Sequence, residues 1–241
     1  MAQSSSDSAQ RASPRITATE LARYMIAAET AKIGIIRSAK ESVSPYRPRF
    51  ADARNTIRAF LRDKARPRTL LHAARDRYVK RSTDASLGRF DREDARLSID
   101  ALDSFVRMQN QFGGMAFRPA PARAESLRLA DVEVSVNVDL LVRGARNDNQ
   151  QIGGALFRFS PAEEETDTAA GRRRDLGLYA ATLVYLQVER NLAGNQRPHY
   201  QLCMSVDVQA EEIHYSPPSF AQRVENLESA CIFIRAMWDL V

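Results

Sequence analysis

Residues 131–159 alternate between apolar and polar side chains in a way that predicts β-structure. Every second position from residue 132 to residue 142 is apolar, and the first four positions between them are Glu133, Ser135, Asn137 and Asp139. A period of two residues is that of a strand with one buried and one exposed face. We therefore predict one strand over residues 132–142, with Asp139 displayed on its exposed face.

A second strand is predicted to pair with this one. Residues 143–151 are polar and favour a loop, after which Gly153 and Gly154 lead into the short run Ala155-Leu156-Phe157-Arg158-Phe159. Its aromatic content is typical of a strand. Because neighbouring strands bring their side chains together, we expect the carboxylate of Asp139 to lie near the guanidinium of Arg158.

The rest of the chain combines helical and strand periodicity. Thr17 and Glu20 have the spacing of a capping box and predict a helix to about Lys40, followed by three further helices up to about residue 114. In the second half we expect a helix over about 175–192, an alternating strand from Leu202, and a last helix over about 219–241 anchored by Trp238.

Together these elements predict an α/β or α+β fold, in which a mixed β-sheet with a crossover helix is preceded by a helical N-terminal region. The change from helical to strand periodicity near Pro119 marks a domain boundary. We predict a disordered tail over residues 1–15, a basic helical region over 16–118 and a mixed-sheet, nuclease-like domain over 119–241.

Charge divides the chain into two unlike halves. Residues 1–120 hold 23 Lys and Arg against 13 Asp and Glu, whereas residues 121–241 hold 12 against 17. A basic half favours a polyanionic partner, and arginine suits phosphate well. We predict that nucleic acid, DNA or RNA, binds to helical arginines, namely Arg54, Arg58, Arg62, Arg75, Arg77 and Arg81. The alternative is a solvated helical surface with no ligand.

Composition also restricts location and chemistry. No apolar run reaches the roughly 18 residues of a membrane span, and the N-terminus lacks the apolar core of a secretory signal. Two cysteines are too few for a disulfide framework. These features predict a cytoplasmic protein without a membrane partner. Signature motifs of serine hydrolases, P-loop nucleotidases and dinucleotide enzymes do not occur.

The order strand, strand, strand, crossover helix, strand over about residues 125–210 resembles the core of the PD-(D/E)XK nuclease superfamily, including its RecB-like members. In that superfamily an Asp near the end of the second core strand and an acid-x-Lys motif on the third bind a divalent metal and activate water. Asp139 matches the Asp, and Arg158 is the base at the Lys position.

The resemblance implies a nuclease that uses Mg²⁺ or Mn²⁺ to hydrolyse phosphodiesters. Asp139 would be a metal ligand, Arg158 a clamp on phosphate or the transition state, and Glu29 or Asp207 a second ligand. Glu20, on the same predicted helix as Glu29, is a further candidate ligand.

Departures from the superfamily pattern favour other hypotheses as well. Leu156 stands where the second metal-binding acid is expected, and the guanidinium of Arg158 stays protonated, so it cannot act as a base. The chain would then be a non-catalytic nucleic-acid-binding module. Alternatively Arg158, flanked by Asp139 and Asp207, is part of a self-satisfied structural network. A third hypothesis is a subunit of a larger assembly, or a homo-oligomer, docked through the C-terminal helix.

Overall fold

The structure, a computed structural model, describes residues 11–41, 49–144, 151–159 and 166–241. Its helices within these ranges are α1 Ala18–Ile26, α2 Glu29–Glu41, α3 Ala51–Arg62, α4 Arg68–Thr83, α5 Arg89–Met108, α6 Asp167–Gln187 and α7 Ala221–Met237. The strands are β1 Arg15–Thr17, β2 Met115–Pro119, β3 Leu127–Leu129, β4 Val132–Ser135, β5 Leu140–Gly144, β6 Gln151–Arg158, β7 Arg197–Pro198, β8 Met204–Asp207 and β9 Glu212–Tyr215. The chain therefore has the predicted α/β fold with a helical N-terminal region.

The main sheet is mixed, with strand order β2-β5-β6-β8-β9, and β7 pairs with β6. Strands β2, β5 and β6 are antiparallel neighbours, whereas β8 runs parallel to β6. A parallel neighbour requires a crossover connection, and α6 provides it. This confirms the crossover helix that the sequence predicted between the two strands.

Helices cover both faces of the main sheet. On one face α3, α4 and α5 pack over Ala155 and Phe157 of β6. Leu156, between these residues, belongs to the second core, which contains α6, α7 and the N-terminal helices. Burial on both faces explains why β6 reads as a continuous apolar run instead of an alternating one.

A small second sheet has the order β1-β4-β3, with β1 parallel to β4. Arg15, which the sequence placed in a disordered tail, belongs to β1 and pairs with Glu133 of β4, so the predicted end of the tail is wrong. Ile16 is fully buried, and burying this side chain stabilises the ordered conformation of the segment. Residues 1–10 lie outside the described residues.

The predicted single strand over 132–142 is wrong, because it forms β4 and β5 in different sheets. The chain bends between them, where the Val138 amide donates to the Val136 carbonyl at 3.1 Å. The Asp139 amide then donates to the Ala155 carbonyl at 2.8 Å, which brings the chain beside β6. Apolar residues keep a period of two across this bend, so the pattern gives no sign of it.

The first predicted helix is also divided. Its single span to Lys40 becomes α1 and α2, separated at Ala27, whose backbone is extended with φ −74° and ψ 147°. No proline or glycine marks this break, so helix propensity could not reveal it. Ser44-Pro45, the sequence expected to end this helix, lies outside the described residues.

The predicted capping box at the start of α1 is confirmed. The Glu20 amide donates to Thr17 Oγ1 at 3.2 Å, and the Thr17 amide donates to Glu20 Oε2 at 2.9 Å. We expect Thr17→Ala to lower the free energy of unfolding by about 1 kcal/mol, because it removes one half of this box. Chemical denaturation measures the change. Thr19→Ala, two residues further on in the first turn of α1, is the control and should change stability by less than about 0.5 kcal/mol. Equal losses of stability in the two variants would contradict the capping role of Thr17.

The C-terminal helix α7 is held to the protein by Trp238, as predicted. The indole is 1% exposed and its Nε1 donates to the Arg11 carbonyl at 3.2 Å. Lys40 Nζ donates to the carbonyl oxygens of Trp238 and Val241, both at 2.9 Å. The outer face of α7 leaves Ile232 and Phe233 about half exposed. A protein partner or a second copy on this face stays a prediction.

The division of the chain into domains also stays a prediction. The expected boundary at Pro119 falls at the end of β2, which pairs with β5 along its whole length.

Both cysteines of the chain, Cys203 and Cys231, are buried free thiols. Among the described residues, no helix is long and apolar enough to cross a membrane.

Candidate nucleic-acid interface

A cleft of about 1080 Å³ opens where the small sheet, the start of α3 and the main sheet meet. Its walls are formed by residues of the β1–α1 junction, the N-terminal part of α3, the segment 120–126, the bend between β4 and β5, and the middle of β6. Asp139, which matches the superfamily Asp, and Leu156, which stands at the position of its second acid, both line the cleft.

Asp139 is buried at this cleft instead of being displayed on an exposed face, so that prediction was wrong. Only 5% of the residue is exposed. Its Oδ2 accepts hydrogen bonds from Arg54 Nη1 at 2.7 Å and from the Phe157 amide at 2.8 Å. Burial raises the pKa of the carboxyl group, while the charges of Arg54 and Arg58 act in the opposite direction. The carboxylate is thus held by a cation and a backbone amide.

Arg54 has two contacts that fix its guanidinium at the cleft. Besides the ion pair with Asp139, its Cζ lies 5.1 Å from the ring centroid of Phe159. The side chain of Arg54 is 33% exposed, whereas that of Asp139 is 4% exposed. The arginine therefore stands between the buried carboxylate and the solvent, with part of its charge available to the cleft.

The structure does not bring the predicted metal ligands together. Glu29 is exposed on α2, 2.6 Å from Lys32 Nζ, and borders a different groove beside Tyr24. Asp207 is fully buried beside Arg158. Glu20 Oε2 is hydrogen-bonded to Thr17. Across the described ranges, no group of three or more His, Cys, Asp or Glu side chains is arranged to hold a metal ion.

The donor set at Asp139 is a poor fit for Mg²⁺ or Mn²⁺. One of its oxygens is bound by Arg54, and apolar Leu156 occupies the position of the second acid. Both ions prefer several oxygen ligands, and a guanidinium beside the carboxylate disfavours a second cation there. No reaction step through a metal follows from this arrangement.

Arg158 lies in a buried network of its own. Its Nε donates to Ser205 Oγ at 2.7 Å, and its Nη1 lies 3.3 Å from Asp207 Oδ2. The side chains of Arg158 and Asp207 are 2% and 0% exposed. Burial lowers the pKa of Arg158, and Asp207 opposes this effect. Arg158 and Asp207 therefore form a buried ion pair. The network is not self-satisfied, because Arg158 Nη2 and Asp207 Oδ2 have no hydrogen-bond partner among the described residues, and Asp139 pairs with Arg54 instead.

The six helical arginines predicted to grip phosphate do not form one surface. Arg54 and Arg58 line the cleft. Arg75 is bound to Asp103 by hydrogen bonds of 2.8 and 3.1 Å. Arg81 is bound to Asp52. The remaining two, exposed and outside the cleft lining, are Arg62 and Arg77.

Three arginines that sequence reasoning missed complete the cleft. Arg15 at β1, Arg49 before α3 and Arg123 in the segment 120–126 all contribute to its lining. They come from distant parts of the chain and share no spacing, so no sequence signal linked them. Counting Arg54 and Arg58, the described lining contains five arginines against three carboxylates, Glu125, Glu133 and Asp139. The cleft is therefore cationic overall.

Two of these arginines have no carboxylate partner among the described residues. Arg15 pairs with Glu133, Arg49 with Glu93 and Arg54 with Asp139. Arg58 and Arg123 make no such pair, and the Nε atom of Arg58 is buried without a hydrogen-bond acceptor. Arginines that line a cleft without a carboxylate partner are suited to donate hydrogen bonds to an anionic ligand.

The segment 120–126 is fixed by hydrogen bonds to its backbone and side chains. Gln187 and Asn191 both donate to the Glu125 carbonyl, at 2.8 and 2.9 Å. Ser126 Oγ donates to Glu133 Oε1 at 2.9 Å. Asn191 lies in a π-helical turn over 188–192 that follows α6, and such turns are frequent at functional sites. These contacts fix the segment 120–126, which forms the wall of the cleft that contains Arg123.

Comparisons with protein-family models and with curated proteins found no match to this chain. The function of the cleft must therefore be argued from its residues.

Proposed function

We propose that this protein binds the phosphate backbone of nucleic acid in the arginine-lined cleft, without metal-dependent cleavage. The observation that carries the proposal is the pairing of the cleft's buried carboxylate, Asp139, with Arg54, while Arg58 and Arg123 have no carboxylate partner in the part of the chain that the structure describes. A metal-dependent nuclease needs carboxylates that are free for a cation at this place. A phosphate-binding site needs free guanidinium groups, which this cleft provides.

The arrangement of the strands supports kinship with the PD-(D/E)XK superfamily as part of the same proposal. The antiparallel strands β5 and β6, the crossover helix α6 and the parallel strand β8 occur in the order which that resemblance implies. Asp139 precedes β5, and Leu156 and Arg158 lie on β6. In this proposal the ancestral cleft is kept and arginines take over the binding of phosphate. Fold alone does not determine activity, so the side chains decide between binding and cleavage.

Asp139→Asn separates the two functions because they predict opposite results. The asparagine keeps an oxygen acceptor for the Phe157 amide but removes the negative charge that holds Arg54. We expect the affinity for a fluorescein-labelled oligonucleotide, measured by fluorescence anisotropy, to rise about three- to tenfold, since the cleft gains net positive charge and Arg54 becomes available. In a nuclease the same variant would lose metal-dependent cleavage.

The matched control is Asp103→Asn, which removes a carboxylate paired with Arg75 on the helices α4 and α5, outside the cleft lining. It changes the total charge equally and should alter affinity less than about twofold. Both variants and the wild type are incubated with DNA and RNA in Mg²⁺ and in Mn²⁺. Cleavage by the wild type that Asp139→Asn abolishes would contradict the proposal and favour the nuclease.

A further inference from the structure

Three phenylalanine rings lie near the start of α3, two of them in contact with the cleft arginines Arg49 and Arg54, although none of the three belongs to the described lining of the cleft. Phe50 stacks on Phe159 with ring centroids 5.0 Å apart and planes inclined by 12°. Phe90, at the start of α5, is 36% exposed, so its ring is accessible at the surface beside Arg49.

Two cleft arginines lie over these rings. The Cζ atom of Arg49 is 5.1 Å from the ring centroid of Phe90, and that of Arg54 is 5.1 Å from the centroid of Phe159. The Arg49 side chain is 40% exposed and its only carboxylate neighbour in the described residues is Glu93, at 3.4 Å. A guanidinium supported by a ring on one side presents its other plane to the solvent.

The backbone that positions Arg49 is held in an uncommon conformation. Phe50 has φ 62° and ψ 13°, the left-handed region that non-glycine residues rarely adopt. Its amide donates to Asp94 Oδ1 at 2.8 Å, and Asp94 is 2% exposed. Its carbonyl accepts from the Arg54 amide at 2.8 Å, which begins α3. The buried carboxylate thus fixes the turn that directs Arg49 to the cleft and Phe50 onto Phe159.

From these contacts we infer that the cleft takes single-stranded nucleic acid, one base of which stacks on the Arg49 guanidinium supported by Phe90. This inference rests on the proposed function. Bases of a single strand can leave their neighbours and stack on planar side chains, including guanidinium planes. Bases within a duplex are already stacked on both sides and gain nothing from such a surface. The arginines without carboxylate partners, Arg58 and Arg123, would contact the backbone of the strand.

Arg49→Lys tests the inference, because lysine keeps the charge and loses the plane. The probes are an oligothymidylate of about 20 nucleotides, whose bases are unpaired and free to stack, and a DNA duplex of the same length. We expect Arg49→Lys to weaken binding of the single strand at least about fivefold, the lower end of the range for base stacking. The affinity of this variant for the duplex and the salt dependence of its binding should not change. The control is Arg37→Lys, on α2 outside the cleft lining.

A second variant, Phe90→Leu, keeps an apolar side chain but removes the ring beneath Arg49, and it should reproduce the selective loss. Unchanged single-strand affinity in both variants would overturn the inference. Equal losses for single strand and duplex would also overturn it, because Arg49 would then act as a phosphate contact alone, while the proposed function would stand. If the wild type binds neither probe in a salt-dependent manner, the proposed function itself fails. Circular dichroism of each variant establishes that it is folded.

Discussion

Replacing Arg158 by alanine is expected to lower the free energy of unfolding by about 3–5 kcal/mol. Asp207, which is fully buried, would lose its guanidinium partner. Ser205 would lose its hydrogen bond from Arg158 Nε. Denaturation in urea or guanidinium chloride, followed by circular dichroism, measures the change. The variant should lose stability without losing a contact to the ligand, because Arg158 is absent from the described lining of the cleft.

The double variant Arg158→Met with Asp207→Leu is the informative control. It replaces both charges by apolar side chains of similar size, and such replacements of a buried pair are often neutral or stabilising. We expect it to recover most of the stability lost in Arg158→Ala and to bind nucleic acid with wild-type affinity. A stable Arg158→Ala variant that binds or acts less well would instead indicate that Arg158 works as the clamp implied by the superfamily resemblance.

Reversing the two unpaired cleft charges, in the variant Arg58→Glu with Arg123→Glu, should lower the affinity for nucleic acid at least about a hundredfold, or ~2.7 kcal/mol. Each substitution removes a cation from the cleft and adds a carboxylate that repels phosphate. Neither arginine has a carboxylate partner among the described residues, so no ion pair is broken by the exchange. Fluorescence anisotropy at constant salt measures the affinities.

The matched control reverses Arg62 and Arg77, which are exposed and outside the described lining of the cleft. It changes the net charge of the protein by the same amount, so it separates the cleft from a general attraction between a basic protein and a polyanion. We expect a loss of less than about tenfold. Equal losses of affinity in the two double variants would contradict binding in the cleft. They would favour binding to the helical arginines that the sequence pattern first indicated.

Local patterns were sufficient for the elements whose residues interact with near neighbours in sequence. The capping box of Thr17 and Glu20 acts within one turn of helix, so its spacing predicted it correctly. The crossover helix α6 and the anchoring of Trp238 followed from apolar periodicity. The bend between β4 and β5 could not be predicted in this way, because apolar and polar residues alternate without interruption through Val136 and Val138.

The partners of the charged residues depended on where the paired part of β5 begins. The sequence indicated that Asp139, Arg158 and Asp207 would meet across neighbouring strands. Arg158 and Asp207 do so, because they are register partners on β6 and β8. Asp139 lies in the bend before Leu140, outside the residues that pair β5 with β6, and is bound by Arg54 of α3 instead.

The cationic character of the cleft was beyond any sequence pattern. Arg15, Arg49 and Arg123 lie on three separate segments that converge only through the folding of the two sheets and α3. The helical arginines were conspicuous in sequence because they recur every few residues, yet Arg75 and Arg81 are bound to carboxylates of the protein itself. Of the regularly spaced helical arginines, only Arg54 and Arg58 line the cleft that is proposed to bind nucleic acid.

The most direct test of the proposed cleft is the dependence of the wild-type association constant for a single-stranded oligonucleotide on salt concentration. Contacts of arginines with phosphates release counterions, so a plot of log K against log salt should fall with a slope of about −0.7 for each contact. With two to four arginines engaged, we expect a slope of roughly −1.4 to −2.8. In the variant Arg58→Glu with Arg123→Glu this slope should be less negative. A slope near zero, or no binding at low salt, would contradict phosphate recognition by this cleft.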